Sequence, residues 1–164
     1  MVRRKRSRYS DSPPLTLLLT ALALLFALAY ASQPVFSAFH QSAEQAHVDS
    51  LLDRLRLAIT AHSERSLKEG ELPPVCNPFE LLKPPPDNYL GVLPEAELSN
   101  LPFGSWCFVN DYNWIAYRPV NPIYNGVQYG QSRLVLYVVS PAQARPGRTG
   151  IRLVQPPRFS FAWQ

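Results

Sequence analysis

No charged residue lies between Leu15 and Phe39, and that stretch constrains the rest of the chain more than any other. Its densest part, Leu15 to Ala31, is Leu, Ala and Phe with two threonines and one tyrosine; apolar character resumes through Pro34, Val35, Phe36, Ala38 and Phe39. At about 1.5 Å per helical residue, some 20 residues cover the roughly 30 Å hydrocarbon core of a bilayer. The expectation is a transmembrane helix over 15–39, anchored by Leu15, Leu18, Leu22, Leu25 and Phe26. Arg3, Arg4, Lys5, Arg6 and Arg8 precede it. By the positive-inside bias, residues 1–14 form a cytoplasmic basic segment and residues 40–164 lie on the far side. A cleaved signal peptide is the alternative, because Ala29-Tyr30-Ala31 before Ser32 fits the small-x-small cleavage pattern.

Beyond the apolar run the periodicity becomes that of an amphipathic helix. Val48, Leu51, Leu52, Leu55 and Ile59 recur at spacings of three and four, while Asp49, Asp53, Arg54 and Arg56 fall off that face. The spacing predicts a helix over 40–69, ended by Gly70 and Pro73-Pro74 and bent near Pro34, which removes a backbone donor. Its apolar stripe needs a sheet to cover it. Residues 70–103 read as a loop region with one short helix, starting at Asn77 as N-cap with Pro78 and Glu80 behind it and stopped by Pro84-Pro85-Pro86. Asp87 to Gly91 reads as a turn. From Gly104 the period is two: Ser105–Val109 and Trp114–Arg118 flank Asn110–Asn113 as a hairpin. Arg133–Val139, Ile151–Val154 and Arg158–Trp163 are further strands, the last placing Phe159, Phe161 and Trp163 on one face. The fold class is α+β, a long helix packed on an antiparallel sheet of four or five strands.

The motifs exclude most chemistry. There is no P-loop, dinucleotide fingerprint or G-x-S-x-G elbow around Ser105, and all three histidines belong to one helix, so no enzyme is expected. His40, Glu44 and His47 share a helical face but lack a further ligand, so no metal and no cofactor is expected. Cys76 and Cys107 both fall in the exported part; an even pair in an oxidising compartment reads as a disulfide. Charge is split along the chain. Residues 40–111 carry eleven acids against five cations, and residues 112–164 carry six arginines and no acid. Arginines and aromatics of that last third (Tyr112, Trp114, Tyr117, Tyr124, Tyr129) suit a polyanion, but they suit the two sides of a small sheet better, so nucleic acid is not the expected partner.

An apolar helix that becomes amphipathic, then a loop region, then an antiparallel sheet resembles type IV pilins and type II secretion pseudopilins. Pro14-Leu15-Thr16-Leu17-Leu18-Leu19 is in register with that family's Gly-Phe-Thr-Leu-Ile/Leu-Glu, with Pro14 for Gly and Leu19 for Glu. Asn77-Pro78, Leu81-Leu82, Pro85-Pro86, Asn88-Tyr89, Gly91, Gly104-Ser105-Trp106 and Tyr117-Arg118 are similar to minor, MSHA-type pilus and secretion-system pilin-like proteins. The resemblance implies a pilin-like fold and a non-catalytic, single-pass component of a bacterial inner-membrane assembly, its C-terminal domain periplasmic and its partners lipid and other pilin-like subunits. The two departures point to an uncleaved accessory protein. Subunits that pack side by side would use the basic C-terminal third, which makes Arg145, Arg148, Arg152 and Arg158 the expected partner-binding residues. The alternative of a signal-peptidase-cleaved periplasmic module implies a polyanion or protein ligand.

Overall fold

The computed structural model describes the backbone of residues 15–145 and 148–163, and side chains within those ranges apart from residues 32–37 and 143–149. One helix, α1, runs Leu15–Lys68. The chain divides into two compact units, Met1–Phe39 and His40–Gln164. In the first, the described apolar side chains from Leu15 to Tyr30 are solvent-exposed. Among the described residues no helix is both long and apolar enough to cross a membrane. The expected bend at Pro34 lies outside the described side chains.

The second unit is built on the periodicity read from the sequence. Val48, Leu51, Leu52, Leu55 and Ile59 are all buried, each no more than 3% exposed. Leu57, on the same helix but off the stripe, is 72% exposed. The helix ends in a Schellman motif: the Gly70 amide donates to the Leu67 carbonyl and the Glu71 amide to that of Ser66. Gly70 sits at φ +79°, where a side chain would be strained.

The strands are β1 (Tyr89–Val92), β2 (Trp106–Val109), β3 (Trp114–Tyr117), β4 (Ile123–Asn125), β5 (Val127–Tyr129), β6 (Ser132–Arg145), β7 (Arg148–Val154) and β8 (Phe161–Trp163). Six of them form a sheet in the order β1-β2-β3-β6-β5, with β7 also pairing β6, and β4 pairs β8 separately. All pairs are antiparallel except β1 with β2. The expected hairpin of β2 and β3 forms, with Trp106 opposite Tyr117 and Val109 opposite Trp114. Its turn closes through Asn113 at φ +54°, a conformation asparagine tolerates. Of the expected turn at Asp87–Gly91, Asp87 and Asn88 form a turn, closed by the Tyr89 amide donating to the Pro86 carbonyl at 3.0 Å, and Tyr89 onward is strand β1.

Both faces of this sheet are buried, which the strand sequences alone do not separate. On one face Trp106, Phe108, Ile115, Tyr117, Val135, Tyr137 and Val139 meet the helix stripe. On the other, Cys107, Val109, Ala116, Leu134 and Leu136 pack under Leu98 and Leu101, from the short 3-10 segment Glu95–Asn100 and the residue after it. That cover is tied down by Ser132 Oγ, which donates to the Ser99 carbonyl at 2.9 Å, and by Tyr129 Oη, which donates to Glu95 Oε1 at 2.8 Å. The aromatic triplet near the C-terminus divides between the layers. Phe159 belongs to a 3-10 turn, Pro157–Phe159, and packs in the far layer, whereas Phe161 and Trp163 share one face of β8, against the helix-side layer.

The two-sided burial also overturns the expected disulfide: Cys76 and Cys107 are free thiols. Strand alternation sends Cys107 to the face away from the helix, while Val75 and Phe79 on either side of Cys76 pack in the helix-side layer. Burial pushes the Cys107 thiol up to about 12. Cys76 is also raised, by burial and then by the charge of Glu80. Thiolate is the reactive form, so both should label slowly in the native protein, Cys107 the slower. Unfolding without reductant should release two alkylatable thiols; a need for reductant would show that the pair is joined.

Candidate functional site

The most organised polar group in the second unit sits where α1 enters it. Glu44 lies one helical turn before the buried Val48, so its side chain is carried on the edge of the packed stripe. Opposite it, β3 ends at Tyr117 and the chain continues as Arg118-Pro119-Val120-Asn121-Pro122. Pro119 and Pro122 have no amide hydrogen, so Val120 and Asn121 are the only backbone donors between them. Both point at one carboxylate: the Val120 amide donates to Glu44 Oε1 at 2.7 Å and the Asn121 amide to Oε2 at 2.9 Å. Tyr117 Oη donates to Oε1 at 2.6 Å and Asn121 Nδ2 to Oε2 at 2.5 Å.

Four donors thus occupy the roughly four acceptor positions of an ionised carboxylate. Hydrogen bonds to a charged acceptor are shorter and stronger than neutral ones, which fits these distances. The Tyr117 phenol is shifted well above its ordinary range by burial, then by its bond to Glu44 and by that residue's charge. It stays protonated and remains a donor. Tyr117 in turn ends a row of packed rings: it stacks on Trp106 at 4.4 Å, Trp106 lies 6.2 Å from Phe79, and Phe79 stacks on Tyr89 at 4.0 Å. Asn77 closes the far end of the row, donating to Tyr89 Oη at 2.8 Å and accepting from the Phe79 amide at 3.2 Å. The N-cap role read for Asn77 is met, on a single 3-10 turn, Pro78–Leu81.

Beside the clamp lies a cleft of about 440 Å³, lined among others by Phe103, Arg118, Val120, Asn121, Ile123 and Arg133. Both guanidinium groups are fixed by backbone carbonyls: Arg118 Nη1 donates to Leu101 at 2.6 Å and Arg133 Nη1 to Ile123 at 3.0 Å. The Arg118 guanidinium also lies 3.8 Å from the centre of the Phe103 ring. The described lining residues include these two arginines and no acid.

Glu44 was legible in the sequence only as one of three residues on a helical face with His40 and His47. Among the described residues no group of three or more His, Cys, Asp or Glu is placed to hold a metal, and the Glu44 oxygens are committed to the loop. The loop's part was missed; the signal was Pro-x-x-Pro straight after a strand, which leaves two amides in need of an acceptor. Of the four arginines expected to meet partners, Arg152 and Arg158 are exposed, Arg158 lying 4.7 Å over the Phe159 ring. The side chains of Arg145 and Arg148 lie outside the described residues. Tyr117 is buried in the core, and Tyr112 and Tyr124 remain exposed, at 47% and 57%.

No family model, no curated protein and no solved structure matches this chain.

Proposed function

We propose that the chain is a membrane-anchored, pilin-like component of a type IV pilus or type II secretion-like assembly, acting through contacts with lipid and other subunits rather than by catalysis. The observation that carries this reading is the contrast along α1. Its second half buries an apolar stripe against a sheet, while Leu15, Leu18, Leu22, Leu25 and Phe26 at its start are between 48% and 75% exposed. An exposed apolar surface of that kind marks an interaction site. The described stretch Leu15 to Ala31 is 17 residues, 15 of them Leu, Ala, Phe or Tyr and two of them Thr, or about 25 Å of helix against a hydrocarbon core of roughly 30 Å. That falls short of a span when taken alone. The sequence continues apolar and uncharged through Phe39, which is why lipid is favoured as the covering medium.

The site is consistent with a scaffold. The Glu44 carboxylate, the most heavily engaged polar group, holds structure together and leaves no acceptor open for a substrate. Assembly contacts are assigned to the basic C-terminal third, where Arg152 and Arg158 are exposed.

The test is carried out on the protein expressed in a bacterial host. The chain should stay with membranes through alkaline carbonate extraction, and its intact mass should begin at Met1 or Val2. Reversing Arg152 and Arg158 to Glu should weaken salt-sensitive co-purification with partner subunits without changing the melting temperature, since exposed charges contribute about 0 to 1 kcal/mol to folding. A soluble product beginning at Ser32 would overturn the anchor and favour a cleaved periplasmic module.

A further inference from the structure

The end of the second unit at Glu44 carries more than the clamp. Phe103 is 65% and Val120 62% exposed. Both line the cleft beside the clamp, and a methyl group built on Gly104, the residue after Phe103, would lie 3.2 Å from Val120 Cγ2. The rim they form is fixed. Val120 is held through its amide by Glu44, the Gly104 amide donates to the Arg118 carbonyl at 2.7 Å, and Asn88 Nδ2 donates to the Gly104 carbonyl at 2.6 Å. Two exposed apolar side chains thus border one cleft, with Arg118 stacked on Phe103 and Arg133 in the same lining.

The position of this rim along the chain indicates what covers it. Glu44 follows Phe39, the last aromatic of the apolar run, by five residues. Five residues reach about 7 Å as helix and no more than about 18 Å fully extended. If the apolar run lies in hydrocarbon, the residues bonded to Glu44 cannot be far from the headgroup layer, which is several ångströms deep on each side. The chemistry matches that layer. Apolar and aromatic groups settle at the boundary of the acyl chains, and arginines meet lipid phosphates. A cleft with two arginines and no acid among its described lining is the complement of an anionic surface.

We propose that the Phe103–Val120 rim is a membrane-seating surface, its apolar side chains in the interface of an anionic phospholipid bilayer and Arg118 and Arg133 against the phosphates. This rests on the anchoring reading given above. Glu44 is then a positioning residue: it fixes the loop that presents Val120 to the lipid.

The full-length protein is reconstituted into liposomes of phosphatidylcholine with and without phosphatidylglycerol. An environment-sensitive fluorophore is placed at Val120→Cys, at Phe103→Cys or at Leu72→Cys, each in a Cys76→Ser background. Leu72 is 76% exposed and lies beyond the opposite end of the helix, so it reports the aqueous baseline. At positions 120 and 103, quenching by spin-labelled lipid should exceed that at 72 several-fold, and quenching by aqueous iodide should be several-fold weaker. Adding phosphatidylglycerol should increase the difference, and Arg133→Gln should reduce that increase. Liposome-bound protein with equal iodide quenching at all three positions overturns the seating surface while leaving the anchor intact. Protection from iodide that grows with protein density, with no lipid quenching, also overturns it and assigns the rim to a second copy of the chain. Protein that does not float with liposomes overturns the anchoring reading itself, and this inference with it.

Discussion

Leu55→Ala should lower the stability of the folded unit by about 2 to 5 kcal/mol, the range for removing a buried leucine and leaving a cavity. Leu55 has no exposed surface and stands in the middle of the stripe that meets Trp106, Ile115 and Tyr137. Interiors packed to crystal-like density relax only partly around a missing side chain, so the lost contacts are not recovered. The measurement is a denaturant melt of the full chain in detergent, with Leu57→Ala as its partner. Leu57 is two residues away on the exposed face and should shift stability by less than about 0.5 kcal/mol. Equal melts for the two variants would mean that the stripe is not packed on the sheet and is free to meet another subunit.

Glu44→Ala should cost about 2 to 4 kcal/mol, because it strands several donors at once while leaving some of them open to water. Val120 is exposed, so its amide can be rehydrated; Tyr117 Oη is inside the core and cannot be so easily. Glu44→Gln keeps one acceptor oxygen but turns an NH2 group towards donors, so a loss of about half that size is expected. Tyr117→Phe on top of Glu44→Ala should add little further loss, since residues of one network are not additive. Amide exchange gives an independent readout. The Val120 and Asn121 amides should be protected in the wild-type protein and exchange markedly faster in either Glu44 variant. Unchanged exchange at those two amides would show that the carboxylate does not hold the loop.

Much of the architecture was written locally. The stripe at Val48, Leu51, Leu52, Leu55 and Ile59 fixes a helix and its buried face, because a spacing of three and four residues has one geometric solution. Gly70 marks the end of that helix for an equally local reason, its tolerance of positive φ. The hairpin of β2 and β3 and the N-cap at Asn77 are likewise set by a few adjacent residues. Where the structure departs from this local logic, the cause is a second layer with no periodic signature. The segment Glu95–Asn100 covers the far face of the sheet with little more than Leu98 and Leu101, and nothing in its sequence tells which face it will meet. Strand alternation puts Cys107 on that covered face, and Phe159 packs there too, in a 3-10 turn outside the strand that carries Phe161 and Trp163.

The sequence by itself determined the charge-free run from Leu15 to Phe39, the amphipathic helix and the class of fold, since these depend on composition and on spacings within one element. Only the tertiary structure decided the partner of Glu44. The residues that bind it, Tyr117 to Asn121, are more than 70 positions away, and a hydrogen bond across that distance exists only when helix and sheet have packed. Pro119 and Pro122 announce a loop short of donors; that its two remaining amides converge on one carboxylate follows from where the helix stripe seats against β3.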